Sequence, residues 1–259
     1  MNQRQSVQIC RRSAIASSLL LAACSSKRRA QDRHTPVLLL HGMFADHRAM
    51  DPLQRYLQRD GFVHTLAPDL SPVDGSRSIT LLAEQLDTHA RALLRRTGSA
   101  KLDVVGYSLG AIVARYWMLR QGGTALTRRF VSLAGPQQGV VGGMLSTAAV
   151  AEELRPFSPF LVSLESHGHA WAGVQVASFL SPFDAVILPP ETAIVPGSNI
   201  VHVFLAPSHH HMATDAHVLR AVAGVLSSTA MTLPPNLPSP RELTSSLRRA
   251  IERLRVPAF

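Results

Sequence analysis

Cysteine is scarce in this chain, with two in 259 residues, Cys10 and Cys24. No disulfide framework is available, so stability has to come from core packing. Aromatic residues make up only 5% of the sequence. No nucleic-acid recognition motif is present either, and nucleic acid is not an expected partner. The first 24 residues contain no acid. Their apolar run, residues 14–23, is too short to span a bilayer as a mature helix. No internal repeat is visible.

What the chain does have is positive charge. Its formal net charge is +9 and its pI about 10.9. That balance suits an anionic surface, and with no nucleic-acid motif the better match is lipid headgroups. The length suits one large domain with its own core.

Arg4, Arg11 and Arg12 precede the short apolar run, which closes as Leu21-Ala22-Ala23-Cys24. The stretch resembles a bacterial lipoprotein signal peptide, residues 1–23. That resemblance implies lipid on Cys24, a membrane partner through that lipid, and a place in the bacterial cell envelope. Ser25 follows the cysteine where an aspartate would signal inner-membrane retention, which points to the outer membrane on its periplasmic side. Removing 23 of 259 residues leaves 236, with three arginines gone and a charge of +6. An ordinary secretion signal stays open as the alternative.

The rest of the chain is organised around residues 101–111. A short β-branched run there leads into Gly106-Tyr107-Ser108-Leu109-Gly110, and a Gly- and Pro-free helix pattern follows. Strand, tight turn and helix form the context in which G-x-S-x-G carries chemistry. Glycines flank Ser108 because a side chain there would meet the neighbouring strand or helix.

This stretch is similar to the elbow of the α/β-hydrolase family, and within it to bacterial lipases and esterases. The resemblance runs from Thr35 to about Ser227. It implies an α/β fold, a mostly parallel sheet flanked by helices, with a small cap insertion around 140–172. A strand at 36–40 ends in His41-Gly42-Met43, which resembles the oxyanion loop of lipases. The resemblance assigns the oxyanion donors to the backbone N–H groups of Met43 and Leu109, with His41 bracing the loop. Residues 154–161 resemble a lipase stretch beside the pocket, and either line an acyl groove or pack in a cap helix.

A serine hydroxyl needs a neutral imidazole to take its proton and a carboxylate to orient that imidazole. In this fold the acid follows the serine and the histidine comes last. Asp184 is the one aspartate in that interval and lies just past a predicted strand, with Glu191 as fallback. His202 falls inside a predicted strand and His217 inside the last helix. Among His209, His210 and His211, the spacing of His209 to Met212 fits the family pattern, with His210 next. Three consecutive histidines cannot all face one ion, and no metal or other cofactor is implied.

Residues 24–34 read as a tether, 35–230 as the hydrolase domain and 231–240 as a proline-rich linker. Residues 241–259 read as an amphipathic basic helix with Leu243, Leu247, Ile251 and Leu254 on one stripe. The expected function is cleavage of carboxylic esters of apolar acyl groups, so the expected partner is an ester or lipid substrate. An acyltransferase with the same triad and a non-catalytic lipoprotein on the same fold remain alternatives. Oligomeric state is not read from the sequence.

Overall fold

The structure is a computed structural model that describes residues 32–141, 149–165, 171 and 173–227. The signal segment with Cys24, most of the tether, and residues 231–259 lie outside the described residues. So do parts of the 140–172 insertion.

Six strands form one parallel sheet in the order β2-β1-β3-β4-β5-β6. They are β1 (Val37–Leu40), β2 (Thr65–Leu66), β3 (Leu102–Tyr107), β4 (Thr127–Leu133), β5 (Gln175–Leu180) and β6 (Ile200–Val203). Near-continuous apolar runs make these strands because helices cover both faces. Alternation along each strand divides the core into two. Val37, Leu39, Val105, Val131 and Phe179 face helices α1 (Asp51–Arg59) and α6 (Ala216–Ser227). Leu38, Leu40, Val104, Phe130 and Val176 face α2 (Ile79–Thr97) and α3 (Leu109–Arg120).

Helix α2 starts where the Ser78 side chain accepts from Leu81 N–H, and it stops at Gly98, whose φ of 65° closes the turn. Trp117 of α3 is fully buried and donates its indole N–H to Asp87 of α2 at 2.9 Å, which fixes the two helices side by side. The insertion contributes two short helices, α4 (Ala149–Glu153) and α5 (Pro159–Glu165). The first is tied down by Val150 N–H to Gly75 O and by Ile79 N–H to the Glu153 carboxylate at 2.7 Å.

Several boundaries differ from the sequence expectation. The alternating residues 62–67 pair in the sheet only at Thr65–Leu66, because their neighbours turn out into loops at a sheet edge. The last helix begins at Ala216, after a 3-10 turn over His209–Ala213. The expected tether ends early: Asp32 is buried in a helical turn and forms an ion pair with Arg128. Arg128 also holds Asp103, whose carboxylate has no exposure at all, at 2.5 and 2.9 Å. Burial pushes the Asp103 carboxyl above its usual value, against the pull of Arg128 and Arg129.

Arg128→Ala therefore strands a buried carboxylate. Breaking such a pair typically costs about 3–5 kcal/mol. Urea denaturation is expected to register a loss of that size. A loss under ~1 kcal/mol would show that the cluster contributes little to the fold.

Candidate active site

The site assembles at the C-terminal ends of the parallel strands, where each strand hands over to a loop. Ser108 follows β3 directly, with φ 51° and ψ −120°. A non-glycine residue in that region carries a strain of roughly 1–3 kcal/mol and has to be held there. The Ser108 N–H donates to Leu133 O at 2.9 Å, and its carbonyl accepts from Ala111 N–H at 3.0 Å. The two flanking glycines have backbone reasons. A Cβ on Gly106 would lie 2.5 Å from Ala111 Cα, and one on Gly110 would lie 2.6 Å from the His41 carbonyl oxygen. Ser108 itself makes no side-chain hydrogen bond among the described residues.

The loop after β1 comes against the serine. A Cβ on Gly42 would stand 3.0 Å from Ser108 Cβ. His41 is buried and fixes this loop. Its Nδ1 pairs with Gly42 O at 3.0 Å and its Nε2 with Leu70 N–H at 3.0 Å. A carbonyl only accepts and a backbone N–H only donates, so the ring proton sits on Nδ1 and Nε2 accepts. Gly42 O and Met43 N–H belong to one trans peptide and point in opposite directions. By holding the carbonyl on its own side, His41 aims the Met43 N–H the other way. Met43 and Leu109 both line the cavity that Ser108 lines.

Asp184 lies on the loop after β5 and is 2% exposed. Its Oδ1 accepts from Val186 N–H at 2.8 Å and Ile187 N–H at 3.0 Å, and its Oδ2 meets His209 Nδ1 at 2.7 Å. Burial raises the Asp184 carboxyl, but the His209 hydrogen bond and the two backbone N–H groups outweigh it and hold it below 3.8. His209 opens the turn after β6, so its Nε2 is the ring nitrogen left for a substrate-side partner. His210 and His211 point elsewhere: both are exposed, and His211 Nδ1 pairs with Ser208 at 2.9 Å. Glu191, the alternative acid, sits on a separate 3-10 turn at Pro190–Ala193.

Ser108 and His209 share a cavity of about 510 Å³ with no hydrogen bond between them. Its wall is mostly apolar, from Met43, Leu109, Pro136, Val140, Leu154 and Ile187. Phe44, 78% exposed and at φ 55°, stands at the mouth. Of the 154–161 stretch, Leu154 alone lines the cavity. Leu161 is buried in the core, Phe160 stacks on Tyr116 at 5.3 Å, and Phe157 projects from a turn at 91% exposure. That stretch is therefore mainly cap packing.

Three residues escaped sequence reasoning. Tyr107 places its ring 5.0 Å from the His209 ring and donates its hydroxyl to His209 O at 3.3 Å. Burial, then the Asp184 charge, pushes its phenol up to about 12. Arg115 is buried under the elbow, where burial lowers it to about 10, and it donates to Gln137 O at 2.6 Å. Gln137 in turn donates to Ser132 Oγ at 3.0 Å. The pair fixes the loop that carries Pro136 to the cavity. No sequence signal marks these partners, which lie in different elements.

The fold is that of the α/β-hydrolases. The mature lipase BlEst2 of Bacillus licheniformis is similar over 74% of this chain and 91% of its own, at 13% identity and a TM-score of 0.63. Lipase B of Aspergillus fumigatus is similar over 78% of this chain and 55% of its own, at 15% identity and 0.64. The esterase EaEST of Exiguobacterium antarcticum is similar over 75% and 92%, at 15% identity and 0.52. Residues 36–172, just over half of the chain, match the palmitoyl protein thioesterase family. The chain belongs to that family, and its fold is that of a lipase- or esterase-like hydrolase.

The direction of the Asp184 shift sets a pH window. A carboxyl held below its unfolded value contributes stability that is present above the unfolded value and lost as pH falls through the native one. The stability difference between the wild type and Asp184→Asn is expected to persist through neutral pH and to shrink as pH falls through the ordinary aspartate range and below it. Chemical denaturation across pH measures it. A wild type that instead gains stability relative to Asp184→Asn as pH falls through the range just above would mean that burial, not His209, dominates Asp184.

Proposed function

We propose that this chain is a serine hydrolase that cleaves esters of apolar acyl groups through an acyl-enzyme. The observation that carries the proposal is one apolar cavity lined by both the strained Ser108 and the His209 that pairs with Asp184 behind it. Ser108 Oγ attacks the acyl carbon while His209 Nε2 accepts its proton. Asp184 holds Nδ1–H and stabilises the imidazolium that forms. The Met43 and Leu109 N–H groups receive the charge that develops on the acyl oxygen, a contribution worth ~2.7–4 kcal/mol per donor in comparable sites. His41 is a positioning residue for the first of these donors. His209 then protonates the leaving group, and water, activated by the same imidazole, releases the acid.

Family membership favours a thioester leaving group as well as an alcohol, because the matched family is described as palmitoyl protein thioesterases. A thiolate is the better leaving group, so the same machinery serves both. Transfer of the acyl group to an alcohol uses the same intermediate, and an added acceptor separates the two outcomes.

A fluorophosphonate probe is expected to label the protein once, at Ser108, and Ser108→Ala is expected to abolish both labelling and hydrolysis. The substrates to compare are p-nitrophenyl esters of graded chain length and a palmitoyl thioester. Labelling that survives the substitution overturns the nucleophile assignment. Hydrolysis that survives at near wild-type rate in Asp184→Asn or His209→Ala would overturn the triad.

The same proposal places the protein on a bacterial envelope membrane through lipid on Cys24, resting on the Leu-Ala-Ala-Cys sequence that ends the apolar run. Mass spectrometry of the N-terminal peptide is expected to find cleavage before Cys24 and a lipidated thiol. Cleavage elsewhere, or an unmodified Cys24, removes the anchor from the reading.

A further inference from the structure

The cavity that Ser108 and His209 share has an uneven charge. Among the described residues that line it, Asp74 is the one acid, and no lysine or arginine joins it. Asp74 comes from the loop between β2 and α2, which is stitched to both sides of the cavity. Phe44 N–H donates to Val73 O at 2.9 Å, and Val150 N–H of α4 donates to Gly75 O at 3.1 Å. Asp74 is thus held between the loop after β1 and the cap. Its Oδ1 accepts from Ser76 N–H at 2.9 Å. The Ser76 side chain, then this backbone bond, keep the Asp74 carboxyl below its usual value, so it is anionic at neutral pH. Arg77, exposed three residues on, draws on the same carboxylate but does not line the cavity.

Depth sorts the cavity wall. Leu154 and Ile187 are buried, whereas Asp74 and Phe44 are exposed. An apolar acyl chain gains by leaving water along the buried part. The alcohol or thiol half of the substrate, joined to the acyl carbon at Ser108, is then left at the mouth with Asp74. A cavity of about 510 Å³ is roughly 10 Å wide, within a Debye length at 0.1 M salt, so the carboxylate acts on any charge the leaving group carries.

We propose that Asp74 sets specificity at the leaving group, favouring esters and thioesters of cationic alcohols and thiols over those of anionic ones. The selection rests on acyl-enzyme formation at Ser108 as given above. Opposite charge draws a cationic leaving group to the mouth, and like charge repels an anionic one. Acyl donors that carry phosphate, sulfonate or carboxylate beside the scissile bond are therefore poor substrates. Discrimination of this kind needs no tight pocket for the leaving group, because the field of a single fixed charge extends across the whole mouth.

The test compares the octanoyl thioesters of thiocholine, 2-mercaptoethanol and 2-mercaptoethanesulfonate, which release a cationic, a neutral and an anionic thiol of similar size. Thiol release is followed for the wild type and for Asp74→Asn, which keeps an acceptor for Ser76 N–H. Taking variant against wild type on the same substrate removes differences in thiol reactivity. Asp74→Asn is expected to lower kcat/KM about threefold for the thiocholine ester and to raise it about threefold for the sulfonate, with the neutral ester between. The changes sit in KM, because the charge is held alike before and during the reaction. They fade at about 1 M salt, where the Debye length is roughly 3 Å. Asp74→Glu is expected to keep the wild-type order of substrates and Asp74→Lys to invert it. Equal changes on all three substrates, or changes that persist in high salt, overturn the charge selection. Release that depends on Ser108 but is blind to charge at residue 74 overturns this selection alone. No release from any of the three by the wild type overturns it together with the acyl-enzyme reading.

Discussion

Helix α3 starts closer to β1 than any side chain would permit, and the geometry of the site follows from that contact. Where Gly110 would carry a Cβ, the Leu40 and His41 carbonyl oxygens stand within 2.7 Å. These are backbone atoms at the end of a buried strand and cannot give way. The close approach turns Ser108 out of the strand into its left-handed conformation and leaves Leu109 N–H at the open start of the helix. It also brings the loop after β1 against the serine, so that Met43 and Leu109, from distant segments, line one cavity. The strain at Ser108 is small beside what anchors α3. Ile112, Val113 and Trp117 are fully buried, and each such apolar side chain contributes about 1.5–3 kcal/mol.

Two buried carboxylates mark the two edges of the sheet, and the interior treats them differently. Asp184, at the cavity edge, is met by two backbone N–H groups and an imidazole, and these hold it below its ordinary value despite burial. Asp103, at the far edge, depends on a guanidinium, and burial still raises it. The first arrangement keeps a negative charge beside the histidine that lines the cavity. The second fastens the beginning of the domain, two central strands and the last helix together. Polar groups at one edge thus face the cavity, while those at the other close the fold.

The position of the elbow could be read before any coordinates, because its constraints are local. A buried strand, two glycines and an uninterrupted helix pattern within about 20 residues admit few backbone solutions. The strand and helix order was legible for the same reason, since apolar periodicity reports burial residue by residue. Element ends were less so: β2 has only two paired residues, because an edge strand's length depends on neighbours.

Sequence alone therefore determined the class of fold, the serine at its turn, and a short field of acids and histidines to go with it. The tertiary structure decided which of these meet. Three consecutive histidines are equivalent as chemistry. Only the packing of the loops after β5 and β6 turns His209 onto Asp184 and leaves His210 and His211 to solvent. It alone decided that Asp32 belongs to the domain, through a partner 96 residues away. It also decided that Tyr107 and Arg115 support the site. Contacts across such separations leave no period in the chain, because they are made by the folding of elements onto one another and not within any of them.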